Sequence, residues 1–296
     1  MNILNTRTLL TSSAILLSLW TSAYAITPVH PKTSHAAQAA GPPPLMAAIV
    51  NGNTALVRTL IAKGANVHTR FQGETPLMLA VVGGNTDILK MLIKAGSDID
   101  AKDPSGDTAL MAAVTAGGFN CMQVLIGAHA DVNLQDTNKA SALMMAAKNG
   151  DAPAIKALVA AKANVNAVMT KGLTPLMVAS VQDHPNCVCV SMLLAAGANI
   201  NALDDDGQSV TVLITVLGKI DVLKVLIANG ADLNAKDKFG LTPLMYASNG
   251  GFTEGVKALI AAKPDLNASD PSGETALSVA KTSQIADLLK AAGETK

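Results

Sequence analysis

Aromatic residues, cysteines and excess charge are all scarce in this 296-residue sequence. It contains one Trp, two Tyr, four Phe and three Cys, and its 22 basic residues balance its 22 acidic residues. A neutral chain gives no electrostatic reason to expect binding to nucleic acid. The cysteines Cys121, Cys187 and Cys189 are too few and too clustered for a disulfide framework. Hydrophobic residues still make up 49% of the chain, mostly Ala, Leu, Val and Ile, which predicts closely packed thin helices.

Long apolar segments are missing as well. The run at residues 9–20 is about twelve residues long, well short of the roughly 20 needed to cross a bilayer, so no membrane anchor is expected. It lies between Arg7 and the sequence Ala23-Tyr24-Ala25, which has the small-x-small form accepted by signal peptidase. Residues 1–25 are therefore predicted to be a signal peptide cleaved after Ala25, which implies a periplasmic or secreted protein. Residues 26–43, rich in Pro, Ala, His and Ser, are predicted to be a flexible leader.

A sequence pattern of about 33 residues recurs along the rest of the chain. Thr or Ser before a small residue and an apolar pair is found at Thr75, Thr108, Ser141, Thr174, Ser209, Thr242 and Thr275, and an earlier copy starts at Pro44. All intervals between these hydroxyl residues are 33 residues except one of 35. Each hydroxyl is predicted to cap a first helix, and Pro follows it in several copies. Glycines equivalent to Gly84 and Gly96 are predicted to end the first and second helix of each copy, after which a finger of the type DxxG leads to the next cap.

This pattern resembles the ankyrin repeat over residues 44–293. The resemblance implies an all-α solenoid of about eight helix-turn-helix repeats with short β-turn fingers, starting near residues 44, 75, 108, 141, 174, 209, 242 and 275. The shortened, polar final copy is predicted to be a C-terminal cap. In this family, fingers and first helices line a concave face that usually holds a partner protein or an extended peptide. The implied function is an extracytoplasmic binding scaffold, monomeric and without a cofactor; the alternative is a secreted effector delivered to a host or competitor cell.

The chain departs from the family pattern at the position where the family usually has His. Six methionines occupy it: Met46, Met78, Met111, Met144, Met177 and Met245. We expect them to fill the core, and the alternative is an oxidation sensor. Glycines are also replaced, by His129, Lys162 and Lys263 at ends of second helices and by Lys139 in a finger. Each of these four is predicted to take a left-handed conformation, at a cost on the order of 1 kcal/mol.

The 35-residue interval contains residue types that bind zinc or copper, namely Asp183, His184, Cys187 and Cys189. By register, however, Cys189 and Cys121 both align with the inward-facing Ile88, so they are predicted to be core residues and no metal is expected. Cys187 is then the candidate reactive thiol, and it could pair with another chain.

Two other functional motifs are weak. The run Asp204, Asp205 and Asp206 lacks the ligand spacing and the terminal Glu of a calcium loop, so a solvated turn is predicted. No catalytic signature is present, and the chain is predicted not to be an enzyme.

Positions that the repeat leaves free of structural duty are the candidates for contact with a partner. On the fingers they are Phe71, Gln72, Glu74, Pro104, Ser105, Asp107, Thr137, Asn138, Thr170, Lys171, Leu173, Asp205, Asp206, Gln208, Lys238, Phe239 and Leu241. On the first helices they are Val82, Thr115, Lys148, Val181, Val216, Leu217 and Asn249.

Repeats six and seven are predicted to form the main partner surface. An exposed aromatic residue among aliphatic neighbours is the usual anchor of a binding hot spot, and this description fits Phe239 with Val216, Leu217 and Leu241. Lys171 and Lys238 are the lysines among the predicted finger positions, and both are predicted to contact the partner. Phe71, five fingers away, is the other aromatic candidate.

Overall fold

The structure, a computed structural model, describes residues 41–182 and 187–293. Three expectations fall on other parts of the chain. The predicted signal peptide, the predicted leader as far as residue 40, and Asp183 and His184 of the proposed metal set all lie outside the described residues.

The described part of the chain contains fifteen α-helices and no strand, as expected for an all-α fold. In chain order they are α1 Pro44–Val50, α2 Thr54–Ala62, α3 Pro76–Val82, α4 Thr86–Lys94, α5 Ala109–Thr115, α6 Phe119–Gly127, α7 Ala142–Asn149, α8 Ala152–Ala160, α9 Pro175–Ser180, α10 Cys187–Ala195, α11 Val210–Val216, α12 Ile220–Ala228, α13 Pro243–Gly250, α14 Thr253–Ala261 and α15 Ser283–Ala291. Odd-numbered helices up to α13 are the first helices of the repeats, and even-numbered helices are the second helices.

The predicted caps begin the first helices. The Thr75 hydroxyl accepts a hydrogen bond from the Met78 backbone N–H, and the Thr242 hydroxyl accepts one from the Met245 N–H. The equivalent bond, from the backbone N–H three residues further on, is accepted by the hydroxyls of Thr108, Ser141, Thr174 and Ser209. Each bond satisfies a backbone donor that the first turn of a helix leaves without a partner, so the caps fix where each repeat starts.

The described residues form two compact units. The N-terminal unit contains residues 41–182 and Val188–Asn199, and the C-terminal unit contains residue 187 and residues 200–293. In the N-terminal unit, first helices pack side by side from α1 through α9, and second helices do so from α2 through α8. In the C-terminal unit, α11 packs on α13, and α12 packs on α14, which in turn packs on α15.

Thioethers and thiols fill the interior of the repeats at the predicted positions. The six methionines that replace the family's His are at most 2% exposed. Cys121 and Cys189 are 1% and 0% exposed, which confirms their assignment to the core. At the position of the family's His, flexible thioether side chains thus take the place of a polar ladder.

Asp and Asn side chains link consecutive repeats within each unit through a series of hydrogen bonds, which we call the Asp/Asn chain. The Asn133 side-chain oxygen accepts from the Asn164 backbone N–H at 2.7 Å, and the Asn234 oxygen accepts from the Asp265 N–H at 2.7 Å. Equivalent bonds join Asp100 to Asp131, Asn166 to Asn199 and Asn201 to Asp232. Every one of these bonds crosses from one repeat to the next, so it exists only when both repeats are folded.

The last copy of the repeat differs from the prediction because only its second helix, α15, forms. After the cap Thr275, residues 276–279 make turns, and the chain then reaches Thr282, which caps α15. The distance from the first cap to the second cap is three residues shorter here than between Thr75 and Asn85, and the missing residues are those that would complete the first helix. The Lys281 N–H instead donates to the Ser248 carbonyl oxygen of the preceding repeat at 3.0 Å.

Side chains other than glycine occupy left-handed positions where predicted. The backbone φ angles of His129, Lys139, Lys162 and Lys263 are 63°, 60°, 69° and 56°. These conformations crowd the Cβ atom against the following carbonyl, so each position carries local strain that a glycine would not.

Candidate functional site

Aspartates shape most of the finger loops in the same way. The five finger aspartates are Asp103, Asp136, Asp204, Asp237 and Asp270. In each, Oδ1 accepts hydrogen bonds from the backbone N–H groups two and four residues further on. The side chain thus closes the turn and orients the exposed residues at its tip.

Asp204 is therefore a structural residue, and the prediction of a solvated turn is wrong for it. It is 7% exposed and accepts from the N–H groups of Asp206 and Gln208. Burial is the main cause that raises the pKa of its carboxyl above the ordinary value. Asp205 is exposed, and the half-buried Asp206 accepts a hydrogen bond from Lys238 of the next finger.

Two fingers lack the aspartate and turn differently. Arg70 and Met169 stand at its position, and in these fingers Gln72 and Lys171 adopt φ angles of 56° and 69°. In the first of them Gln72 is followed by Gly73 at φ 88°, as a two-residue hairpin turn with both central residues left-handed requires. Without the carboxylate as acceptor, backbone hydrogen bonds close the turn, and in the first finger the Arg70 guanidinium also donates to the Gly73 carbonyl oxygen. This turn exposes Lys171, and the missing aspartate was the sequence signal for it.

In the C-terminal unit, three residues meet at the tips of neighbouring fingers. The Lys238 ammonium group donates to Oδ1 of Asp206 and lies 5.2 Å from the centroid of the Phe239 ring. This hydrogen bond to Asp206 is the main cause that raises the pKa of Lys238. Phe239 is 48% exposed, as predicted for an aromatic anchor. The result is an apolar ring bordered by a cation over its face and by that cation's carboxylate partner.

A buried tyrosine holds this finger from below. The Tyr246 hydroxyl, on α13, donates to Oδ2 of Asp237 at 2.6 Å, while Oδ1 of Asp237 accepts from the N–H groups of Phe239 and Leu241. Burial, followed by the Asp237 hydrogen bond and charge, raises the pKa of the Tyr246 phenol above its ordinary value. Both carboxylate oxygens are therefore occupied, so the loop that presents Lys238 and Phe239 is fixed before any partner arrives. The repeat pattern did not predict this contact. Its signal in the sequence is that Tyr246 stands where the other copies have apolar, non-aromatic residues.

Leu241 does not belong to the exposed surface, so its assignment as a free position is wrong. It is 5% exposed, and its carbonyl accepts from the Asp237 N–H at 3.1 Å. In this finger the residue before the cap closes the turn with its carbonyl oxygen, and its apolar side chain is covered by the repeat. Leu173 and Gln208, at the same position in other fingers, are 6% and 7% exposed for the same reason.

The other predicted residues are less uniform. Val216 and Leu217 are both half-buried. Val216 is the last residue of α11, and Leu217 is the C-cap residue that follows it. Phe71 and Lys171 lie in the N-terminal unit, where Phe71 is half-buried and Lys171 is exposed. The structure thus joins Lys238, Phe239 and Asp206 into one cluster.

Thiols and acids do not converge on a metal site in the described ranges. Cys187 is half-buried, and burial raises the pKa of the Cys121 and Cys189 thiols. Within residues 41–182 and 187–293, no three His, Cys, Asp or Glu side chains are grouped so that they could hold a metal ion. The helices of these ranges are also all too short or too polar to cross a bilayer.

Comparison with known proteins agrees with the repeat architecture. The sequence profile described as "Ankyrin repeats (3 copies)" matches residues 24–103, 45–136, 110–204 and 212–294. The crystal structure of the ankyrin repeat domain of Bcl-3, "a unique member of the IkappaB protein family", is similar with a TM-score of 0.66 and 23% identity. The similarity covers 84% of this chain and 99% of the Bcl-3 chain. None of the curated proteins matches the sequence. Since the profile matches extend over most of the sequence, this protein belongs to the ankyrin-repeat family.

Proposed function

We propose that this protein is an extracytoplasmic module that binds a partner protein or peptide with its finger tips and first helices, and that it acts as a monomer without a cofactor. Ankyrin repeats generally mediate protein–protein interaction, which supports the binding role over an enzymatic one. The location outside the cytoplasm rests on the signal-like sequence of residues 1–25.

The observation that carries the proposal is the exposed ring of Phe239 on a preformed loop. Apolar aromatic side chains on a surface mark contact sites, and hot spots are enriched in them. The loop is held by Asp237 and Tyr246, so little conformational entropy is lost when a partner covers the ring. Lys238 and Asp206 supply a polar rim that can exchange their mutual ion pair for contacts with the partner.

Loss of the anchor should abolish partner capture without unfolding the repeats. We expect Phe239→Ala combined with Leu217→Ala to weaken binding by roughly 2–4 kcal/mol, because a hot-spot ring and an aliphatic residue of the proposed surface are removed. Crosslinking pull-down from a periplasmic extract, followed by mass spectrometry, identifies the partner with the wild-type chain, and titration with that partner gives the affinity.

Two controls make this test decisive. Val82→Ala removes a 67% exposed valine from the N-terminal unit and should leave the affinity unchanged. Phe239→Ala alone changes a 48% exposed side chain at a finger tip outside the helices, and its circular dichroism should equal that of the wild type. A double variant that keeps its partner contradicts the proposed surface, and one that unfolds places Leu217 in the core.

A further inference from the structure

An apolar groove lies at the first finger of the N-terminal unit, far along the sequence from Phe239. It has a volume of about 340 Å³ and is bounded by α1, α3 and the turn at residues 71–74. Its apolar walls are Pro42, Ala47, Val50, Phe71 and Leu79. The volume is at the small end of the range for ligand pockets, so it suits a few side chains rather than a folded domain.

Val50 is the most unusual wall residue because it has no reason to be apolar for the fold. It is 67% exposed, at the last position of α1. Val82 occupies the same position in the next repeat with the same 67% exposure, but it does not line the groove. The two valines therefore differ in their surroundings and not in their place in the repeat.

Carboxylates adjoin the apolar walls on the side of the fingers. Glu74 lines the groove itself; burial and then the charge of Asp103 raise the pKa of its carboxyl, and the charge of Arg70 offsets part of this rise. Asp107, in the next finger, has its pKa raised to about 6 by burial and by the charges of Asp103, Asp136 and Glu74. These acids thus repel one another in a partly desolvated place.

Nearby cations do not neutralise these acids through ion pairs. The Arg70 guanidinium donates to the carbonyl oxygens of Gly73 and Lys102, and the Lys102 ammonium donates to the Gln135 carbonyl oxygen. In the described part of the chain, the ion pairs found are Lys238 with Asp206 and Lys257 with Glu254. Glu74, Asp103 and Asp107 have none.

We infer that this groove is a docking site for an extended peptide segment whose apolar side chains are flanked by basic residues. The apolar side chains enter between Val50, Phe71 and Leu79. The flanking cations reach Glu74 and, beyond it, the carboxylates of the next finger. A cation placed there relieves the repulsion among the acids, while an anion would increase it, so charge sets the choice of ligand.

Fluorescence anisotropy with three labelled synthetic peptides tests this site on the full chain. The probes are the basic peptide GSKLLKSG, the acidic peptide GSELLESG, and GSKAAKSG, in which Ala replaces both Leu residues. We expect GSKLLKSG to bind at least about tenfold more tightly than either of the others at low salt, and to weaken as salt is added. Equal binding of the basic and acidic peptides, or of the Leu and Ala peptides, overturns the assignment.

Matched variants locate the site. Val50→Asn should weaken GSKLLKSG about tenfold, while Val82→Asn, the same change at the same helix position, should leave its affinity unchanged. Glu74→Lys should reverse the preference toward GSELLESG. Equal effects of the two Asn variants would overturn the inference. So would sedimentation data showing that the protein self-associates and that this association displaces the peptide. Loss of partner capture in Phe239→Ala with intact peptide binding separates this site from the surface on the C-terminal unit.

Discussion

Asp107 stands one residue before the cap Thr108, with an Oδ1 atom that is buried and has no hydrogen-bond partner. Its carboxyl has an ordinary pKa of 3.8, which burial, followed by the charges of Asp103, Asp136 and Glu74, raises to about 6. A carboxyl with a higher pKa in the folded chain binds its proton more tightly there than in the unfolded chain. The free energy of unfolding from this group therefore falls as the pH rises from about 4 to 6 and stays low above pH 6.

Removing the charge of Asp107 should stabilise the protein at neutral pH. We expect Asp107→Asn to raise the free energy of unfolding by about 1 kcal/mol at pH 7, a value reduced for the partial solvent exposure of the group, and to have no such effect at pH 4. Urea unfolding followed by circular dichroism at pH 4, 5, 6 and 7 measures the difference. Asp287→Asn, at an exposed position of α15, serves as the control. A gain that is the same at all pH values would mean that the carboxylate charge is not its cause.

Single residues also mark where sequence reasoning reached its limit. The cap hydroxyls and the left-handed His129 could be predicted, because each depends on contacts within a few residues. Leu241 could not, because the periodic pattern does not reveal that the residue before a cap closes the finger turn. The hydrogen bond from Tyr246 to Asp237 could not be predicted either, since its partners are nine positions apart and lie on two different elements, a helix and a finger.

Neighbouring fingers within a unit approach each other closely. Gly240 has a φ of 80°, and a Cβ atom on it would lie 2.6 Å from Cδ of Pro271 in the next finger. Gly230, at the end of α12, has nearly the same φ of 79° but open space around the Cβ position. One glycine is thus required for its backbone angle alone, and the other for its angle and for the close approach of its neighbour.

Alanine substitution should separate these two requirements. We expect Gly230→Ala to cost about 1 kcal/mol of unfolding free energy, from the left-handed conformation. Gly240→Ala should cost a further 1–3 kcal/mol or so, because the Pro271 ring has to move. Thermal and urea unfolding of the two variants give the comparison. Equal losses would show that the fingers yield without resistance.

At the scale of elements, the sequence predicted the helices well and the loops less well. First and second helices follow from local caps, glycines and apolar spacing, so their order could be read directly. The eighth copy kept its cap Thr275 but lost its first helix, since three missing residues leave too few for a stable helix. Fingers without the aspartate changed their turn type, which the DxxG pattern did not anticipate.

For the whole molecule, the expected processing of residues 1–25 has a simple physical signature. Trp20 is the single tryptophan of the chain, so cleavage after Ala25 should remove all tryptophan absorbance and fluorescence. Intact mass spectrometry of the protein recovered from its native compartment should show the loss of 25 residues. A full-length product extracted with membranes would contradict the signal-peptide prediction. Fractionation then distinguishes retention in the periplasm from release into the medium.

The Asp/Asn chain has a consequence for how such a protein can evolve. Each of its bonds joins a backbone N–H to a side-chain oxygen that Asp and Asn supply equally, and both residues serve as acceptors along it, as at Asp100 and Asn133. Mutation between the two can therefore change the charge of this edge without breaking a link. Each repeat supplies an acceptor to the next copy and a donor to the previous one. A duplicated repeat would thus enter the array with both of its junctions already matched, so the gene can lengthen by whole units without inventing a new interface.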